Sequence, residues 1–124
     1  METDYFLPRG GQYDRAPAFV HESLDNADVL HVFGDLDFAA VPEFEAALQR
    51  AVRAGYPLVV DLTACTHIEA ACLGVLTRAR ATHGSAVRVR TAEGIVRRIF
   101  DITGLSYETA KSMIGPPDSR LSTG

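Results

Sequence analysis

The 124-residue chain has two cysteines, Cys65 and Cys72, a single lysine, and no apolar run near bilayer length. Two thiols are too few for a disulfide framework or a structural zinc site. Spanning a membrane takes about 20 apolar residues, so direct membrane insertion is not expected. The N-terminal METDYFLPRGGQYDRAP lacks an apolar core of signal-peptide length and is broken by Pro8 and Gly10-Gly11. A cytoplasmic protein with reduced thiols is the expectation. Eleven arginines and one lysine against sixteen acids give a net charge of −4. That balance disfavours a general nucleic-acid binder, whose affinity comes from neutralising phosphates. Catalytic signatures are missing as well. His21, His31, His67 and His83 form no H-x-x-x-H and none pairs closely with a cysteine. No G-x-S-x-G, Walker loop or G-x-G-x-x-G is present. The chain therefore reads as a non-enzyme without metal or cofactor.

What is present fits a soluble globular domain: 47% hydrophobic and 23% charged residues. The length suits one domain, which buries about two thirds of its unfolded surface and needs no staple. Pro8, Gly10, Gly11 and Pro17 mark residues 1–16 as a loose leader, and Gly115-Pro116-Pro117 opens a loose tail over 115–124. The folded unit is expected over 17–114.

Within it the hydrophobic period switches repeatedly. Ala18–Leu24 and Val29–Phe33 read as two antiparallel strands, with Asn26 in the turn and Gly34 ending the second. Val41, Phe44, Leu48 and Val52 form a helical stripe that starts beside Pro42 and ends by Gly55. Leu58–Leu62 is nearly continuously apolar, as in a strand covered on both faces. Leu73, Leu76 and Ala79 or Arg80 continue as a second helix closing near Gly84. Val87–Arg90 alternates as a half-buried strand. Ile95, Ile99 and Ile102 mark a third helix stopped by Gly104, and a weak last strand is expected in Tyr107–Met113. The order predicts an α/β sandwich, with a mixed sheet of four or five strands whose central strands are parallel.

Two places could carry a function. Asp35 and Asp37 end a strand just before a helix, where an Asp caps backbone N–H groups. The segment from Thr66 to Leu76 joins a buried strand to a helix, and its small residues leave the helix start open to close approach. Glu69 is placed to cap that helix, and Cys72 in its first turn reads as a small buried residue. Charge is segregated: residues 22–46 hold seven acids and no Lys or Arg, while 78–98 hold six Arg and one acid, Glu93. That split suits solvated faces or a charge-complementary docking surface.

Three motifs then resemble one family. Gly34-Asp35-Leu36-Asp37 is similar to its G-E-L-D. Val59-Val60-Asp61-Leu62 followed by Ile68-Glu69-Ala70-Ala71-Cys72-Leu73-Gly74-Val75-Leu76 resembles V-x-D/N-L…D-S-S-G-L-G-V-L. Val96-Arg97-Arg98-Ile99-Phe100-Asp101-Ile102-Thr103-Gly104-Leu105 looks like V-x-R-x-F/L-x-x-T/S-G-L. These are motifs of the STAS domain family in its single-domain form, the anti-sigma factor antagonists, over about residues 18–112. The resemblance implies a STAS-type sandwich with three to four helices mainly on one side. It also implies a partner: an anti-sigma factor with an ATPase-like kinase fold, whose capture frees a sigma factor. Its docking surface would carry over to Asp35, Asp37, Glu69, Ala70, Ala71, Cys72, Leu73 and Gly74. In the family the kinase phosphorylates the first Ser of D-S-S-G. Here Glu69 stands at the Asp, Ala70 at that Ser, Ala71 at the second Ser and Cys72 at the Gly. An Ala has no hydroxyl, so the switch cannot operate at position 70. The alternatives are a STAS accessory subunit steadying a transporter ATPase and a scaffold subunit of a sensory assembly. A homodimer stays open.

Overall fold

The computed structural model describes residues 16–109. The expected leader (apart from Ala16) and the expected tail lie outside the described residues, as does the chain after Thr109 in the expected last strand. The elements are β1 (Ala18–Ser23), β2 (Asp28–Leu36), α1 (Val41–Ala51), β3 (Leu58–Ile68), α2 (Ala70–His83), β4 (Val87–Thr91), α3 (Ile95–Thr103) and β5 (Glu108–Thr109). They build one five-stranded sheet in the order β1-β2-β3-β4-β5. β1 runs antiparallel to β2, and every later pair is parallel. Each parallel pair is joined by a helical crossover, as the alternating periods predict.

One face of this sheet makes the core. Leu30, Val32, Leu58, Val60, Leu62, Val87 and Val89 occupy alternate strand positions. Phe44, Ala47, Leu48 and Ala51 of α1, Cys72, Leu73, Val75 and Leu76 of α2, and Val96 and Phe100 of α3 close over them in the same cluster. Phe44 is fully buried and its ring stacks on Phe19, with centroids 5.9 Å apart. Arg78 of α2 reaches Glu45 of α1 at 3.1 Å and ties the two helices outside the core.

The other face is polar, and no helix covers it among the described residues. β3 was expected to be covered on both faces. Its odd residues Val59 and Asp61 are indeed buried, but they point away from the helical cluster. Register sets His31, Asp61, Arg90 and Glu108 side by side across four strands. Asp61 accepts hydrogen bonds from Arg90 Nη2 at 2.9 Å, Thr63 N at 3.0 Å and Thr63 Oγ1 at 2.7 Å. His31 lies between Asp61 at 3.1 Å and Glu22 at 3.0 Å, and Arg88 makes a two-pronged pair with Glu108 at 2.6 and 2.7 Å. A strand can thus read as nearly continuously apolar while one of its residues, Asp61, joins a charged lattice.

Two further expectations are corrected. β2 does not stop at Gly34 but runs through it to Leu36. Gly34 has φ 85°, and the register with β3 shifts there. A positive φ is open to glycine, and the irregularity re-aims the strand end. In α3 the inward residues are Val96 and Phe100 with Ile99 partly buried against the same core, whereas Ile95 and Ile102, expected to point inward, are 57% and 77% exposed. The two stripes lie about 100° apart on a helix of 3.6 residues per turn. The helix stops as expected at Gly104, whose left-handed φ of 78° lets its N–H return to Phe100 O at 2.9 Å.

Candidate functional site

The ends of β2 and β3 meet at the edge where parallel strands deliver their C-terminal loops. Asp37 follows β2 and begins a 3-10 turn over Phe38–Ala40 that leads into α1. Its Oδ1 accepts the Ala40 N–H at 3.1 Å, so the capping reading of Asp37 holds. Asp35 does something different: its Oδ1 accepts the hydroxyl of Thr66 from β3. Glu69 stands at the N-cap position of α2, yet its side chain makes no cap bond to that helix. Instead Glu69 Oε1 accepts the Phe38 N–H at 2.9 Å, across 31 residues of sequence. This corrects the expectation that Glu69 caps its own helix.

The same two loops are joined by their backbones. Glu69 N donates to Leu36 O at 2.9 Å, and the Cys72 thiol lies 3.4 Å from Asp37 O as a donor. Four contacts therefore hold 35–38 against 66–72. Asp35, Asp37, Glu69, Ala70 and Ala71 come together on one surface, with Gly74 half-buried one turn on. Cys72 is 0% exposed and Leu73 is buried, so these two lie beneath that surface rather than on it. The Cys72 side chain fills the space under Asp37.

Neither thiol is prepared for chemistry. Burial, then the charge of Asp37, pushes Cys72 up to about 11, against the lowering that a helix start alone would give. Burial likewise pushes Cys65 up to about 11, and both are free. Three carboxylates dominate the edge, with His67 Nε2 3.9 Å from Glu69 Oε2. Among the described residues no group of three or more His, Cys, Asp or Glu could hold a metal ion. No helix among them is long and apolar enough to cross a membrane. What the arrangement offers is a pinned, acidic surface with small side chains at its centre.

Two exposed apolar residues, Phe38 and Ile95, are not among the candidate site residues read from the sequence. Phe38 is 74% exposed at this edge. Its signal was there: it is a large apolar residue outside the Val41–Phe44–Leu48 stripe. Ile95, the first residue of α3, lines a cleft of about 190 Å³ together with Cys65, Thr66 and Ala92.

Comparison with known proteins bears on the fold and the family. A solved anti-sigma factor antagonist from Mycobacterium paratuberculosis superposes with a TM-score of 0.69 at 23% identity, over 88% of this chain and 94% of that one. The antagonist SpoIIAA in its unphosphorylated form gives 0.50 at 19% identity, over 85% and 96%. The Bacillus SpoIIAA in its phosphorylated form gives 0.50 at 21% identity, over 85% and 97%. At these identities the likeness establishes a common fold, an α/β five-stranded mixed sheet with three helices. No match among curated proteins reaches significance. The family model described as "Mlab, STAS domain" fits residues 19–114, from β1 past β5, and on that span the chain belongs to the STAS domain family.

Proposed function

We propose that this chain is a non-enzymatic docking module that binds an anti-sigma factor with an ATPase-like kinase fold and so frees a sigma factor in the cytoplasm. The docking surface is the edge formed by Asp35–Phe38 and Glu69–Gly74. The observation that carries the reading is the stitching of these two loops, above all the Glu69 carboxylate on the Phe38 N–H. A surface fixed in this way loses little freedom when a partner covers it. The solved antagonists of the same fold supply the class of partner. Ala70 cannot accept a phosphate, so the module is permanently in its binding form and is set by its amount. Nucleic acid is not a partner, because the edge is acidic.

The test is direct titration of the purified chain with the ATPase-fold anti-sigma factors of its source organism, wild type beside Ala70→Glu. A carboxylate at position 70 adds charge next to Glu69 in sequence, on an edge that already carries Asp37, and must be desolvated under a partner. Binding is expected to weaken about tenfold or more, equivalent to about 1.4 kcal/mol. Because Ala70 is exposed, the unfolding midpoint should stay put. Equal binding by both proteins sinks the reading. A second reading is favoured by the same missing hydroxyl: a constitutive accessory subunit steadying a transporter ATPase needs no phosphoacceptor. Capture of such an ATPase in place of an anti-sigma factor would decide for it.

A further inference from the structure

We propose that Phe38 and Ile95 are the two apolar anchors of the docking edge, and that they fit a protein face whose apolar pockets are flanked by Arg or Lys side chains. This deepens the docking reading above and rests on it. A Phe 74% exposed is a large apolar area left in water, and its surroundings fix it there. Glu69 Oε1 holds its N–H at 2.9 Å. The residue before it is fixed from two sides, by the Asp37 bond to Ala40 N and by the Cys72 thiol under Asp37 O. The ring therefore projects from a backbone held by hydrogen bonds, so docking would order only its two side-chain torsions, a small cost for the area an aromatic anchor buries.

Ile95 belongs to the same surface through a chain of contacts. It lines its cleft with Thr66, and the Thr66 hydroxyl bonds Asp35, one residue from Leu36 and three from Phe38. Ile95 thus adjoins the Thr66 end of the Asp35–Thr66 tie, and Phe38 stands three residues past its Asp35 end. Ile102 is more exposed than Ile95 but stands seven residues along α3, about 10 Å farther from the edge. Of the other exposed aromatic residues, Tyr56 carries the Arg53 guanidinium 3.7 Å over its ring, and Phe33, 41% exposed, lies within β2 rather than in the edge loops.

Charge specifies what covers these anchors. Asp35, Asp37 and Glu69 belong to the two loops that carry Phe38 and Thr66, and Glu93, 91% exposed with Arg97 3.6 Å away, stands two residues before Ile95. A complementary face is basic around apolar pockets. The same carboxylates repel an anionic lipid surface, so a membrane does not suit these anchors.

The experiment titrates a purified ATPase-fold anti-sigma factor against wild type, Phe38→Ala, Phe38→Leu, Ile95→Ala, Ile102→Ala and Ala70→Glu, at two salt concentrations. Phe38→Ala should weaken binding about 30-fold or more and Ile95→Ala about 5-fold, with Ile102→Ala within about 2-fold. Phe38→Leu should recover most of the loss. The association rate should fall as salt rises. Urea midpoints of Phe38→Ala and wild type should coincide, whereas a merely structural Phe38 would shift the midpoint and spare the affinity. If Ala70→Glu loses binding while Phe38→Ala keeps it, the edge stands and the anchors fall. If wild type does not bind, both fall together. Phe38-dependent sedimentation with anionic vesicles, in place of protein binding, also overturns the proposal.

Discussion

Replacing Asp61 by alanine tests the polar lattice that locks β2, β3 and β4 in register. The Asp61 carboxylate receives Arg90 Nη2 at 2.9 Å, two bonds from Thr63 at 2.7 and 3.0 Å, and His31 Nδ1 at 3.1 Å, with a side chain 9% exposed. Among the described residues Arg90 Nε has no hydrogen-bond partner, so deletion leaves a guanidinium poorly matched at two of its nitrogens. Breaking a buried pair typically costs 3–5 kcal/mol. Arg90 is 23% exposed and His31 keeps Glu22, so some of the loss is recovered from water and from that neighbour. The expected loss is about 3 kcal/mol, a fall of about 10–20 °C in the melting midpoint for a domain of this size. Burial alone would raise the Asp61 pKa, but the bonds from Arg90 and Thr63 outweigh it and hold the carboxyl below its ordinary 3.8. The unfolded chain then takes up the proton first on acidification. Stabilisation is therefore full above the unfolded value and disappears as pH falls through the lower folded value. Urea denaturation of wild type and Asp61→Ala at pH 7 and at pH 2.5 should show the gap closing in acid. A gap below about 1 kcal/mol at pH 7, or one that does not change with pH, refutes the reasoning.

Phe44→Ala should cost about 3–4 kcal/mol by urea titration, because a fully buried ring stacked on Phe19 leaves a cavity. A loss under about 1 kcal/mol would mean that α1 collapses onto the sheet without strain. Cys65 and Cys72, buried and pushed up to about 11, should not react with a chromogenic disulfide at pH 8 in the folded protein. Both should titrate in denaturant, and rapid stoichiometric reaction of the native chain would contradict the burial.

Much of the architecture was legible because it rests on local rules. Glycines stopped two helices where expected: Gly84 with φ 64° after α2 and Gly104 with φ 78° after α3. The strict alternation of β4 gave a half-buried strand, and the switching of periods gave the parallel crossovers. α3 shows the limit. Its sequence holds two apolar stripes, Ile95–Ile99–Ile102 and Val96–Phe100, and either makes an amphipathic helix. Periodicity supplies the helix but not its rotation, which depends on how the chain leaves β4 and returns to β5. The same limit hid Phe38, whose fate depends on a turn geometry rather than a repeat.

The candidate site divides along the same line. That Ala70 lacks a phosphoacceptor is a property of one side chain and needs no structure. So is the acidity of residues 22–46 and the capping preference of Asp37. Where the Glu69 carboxylate goes was decided by tertiary structure, because the N–H it meets belongs to Phe38, 31 residues earlier. Proximity across that distance arises only when β2 and β3 pair in parallel and end at one edge. Likewise Asp61 is a lone acid in an apolar run until register sets it between His31 and Arg90. Local sequence fixes the conformation of short segments through sterics and hydrogen bonds between near neighbours. Contacts between distant segments depend on strand register and helix rotation, and those are set by the packing of the whole chain.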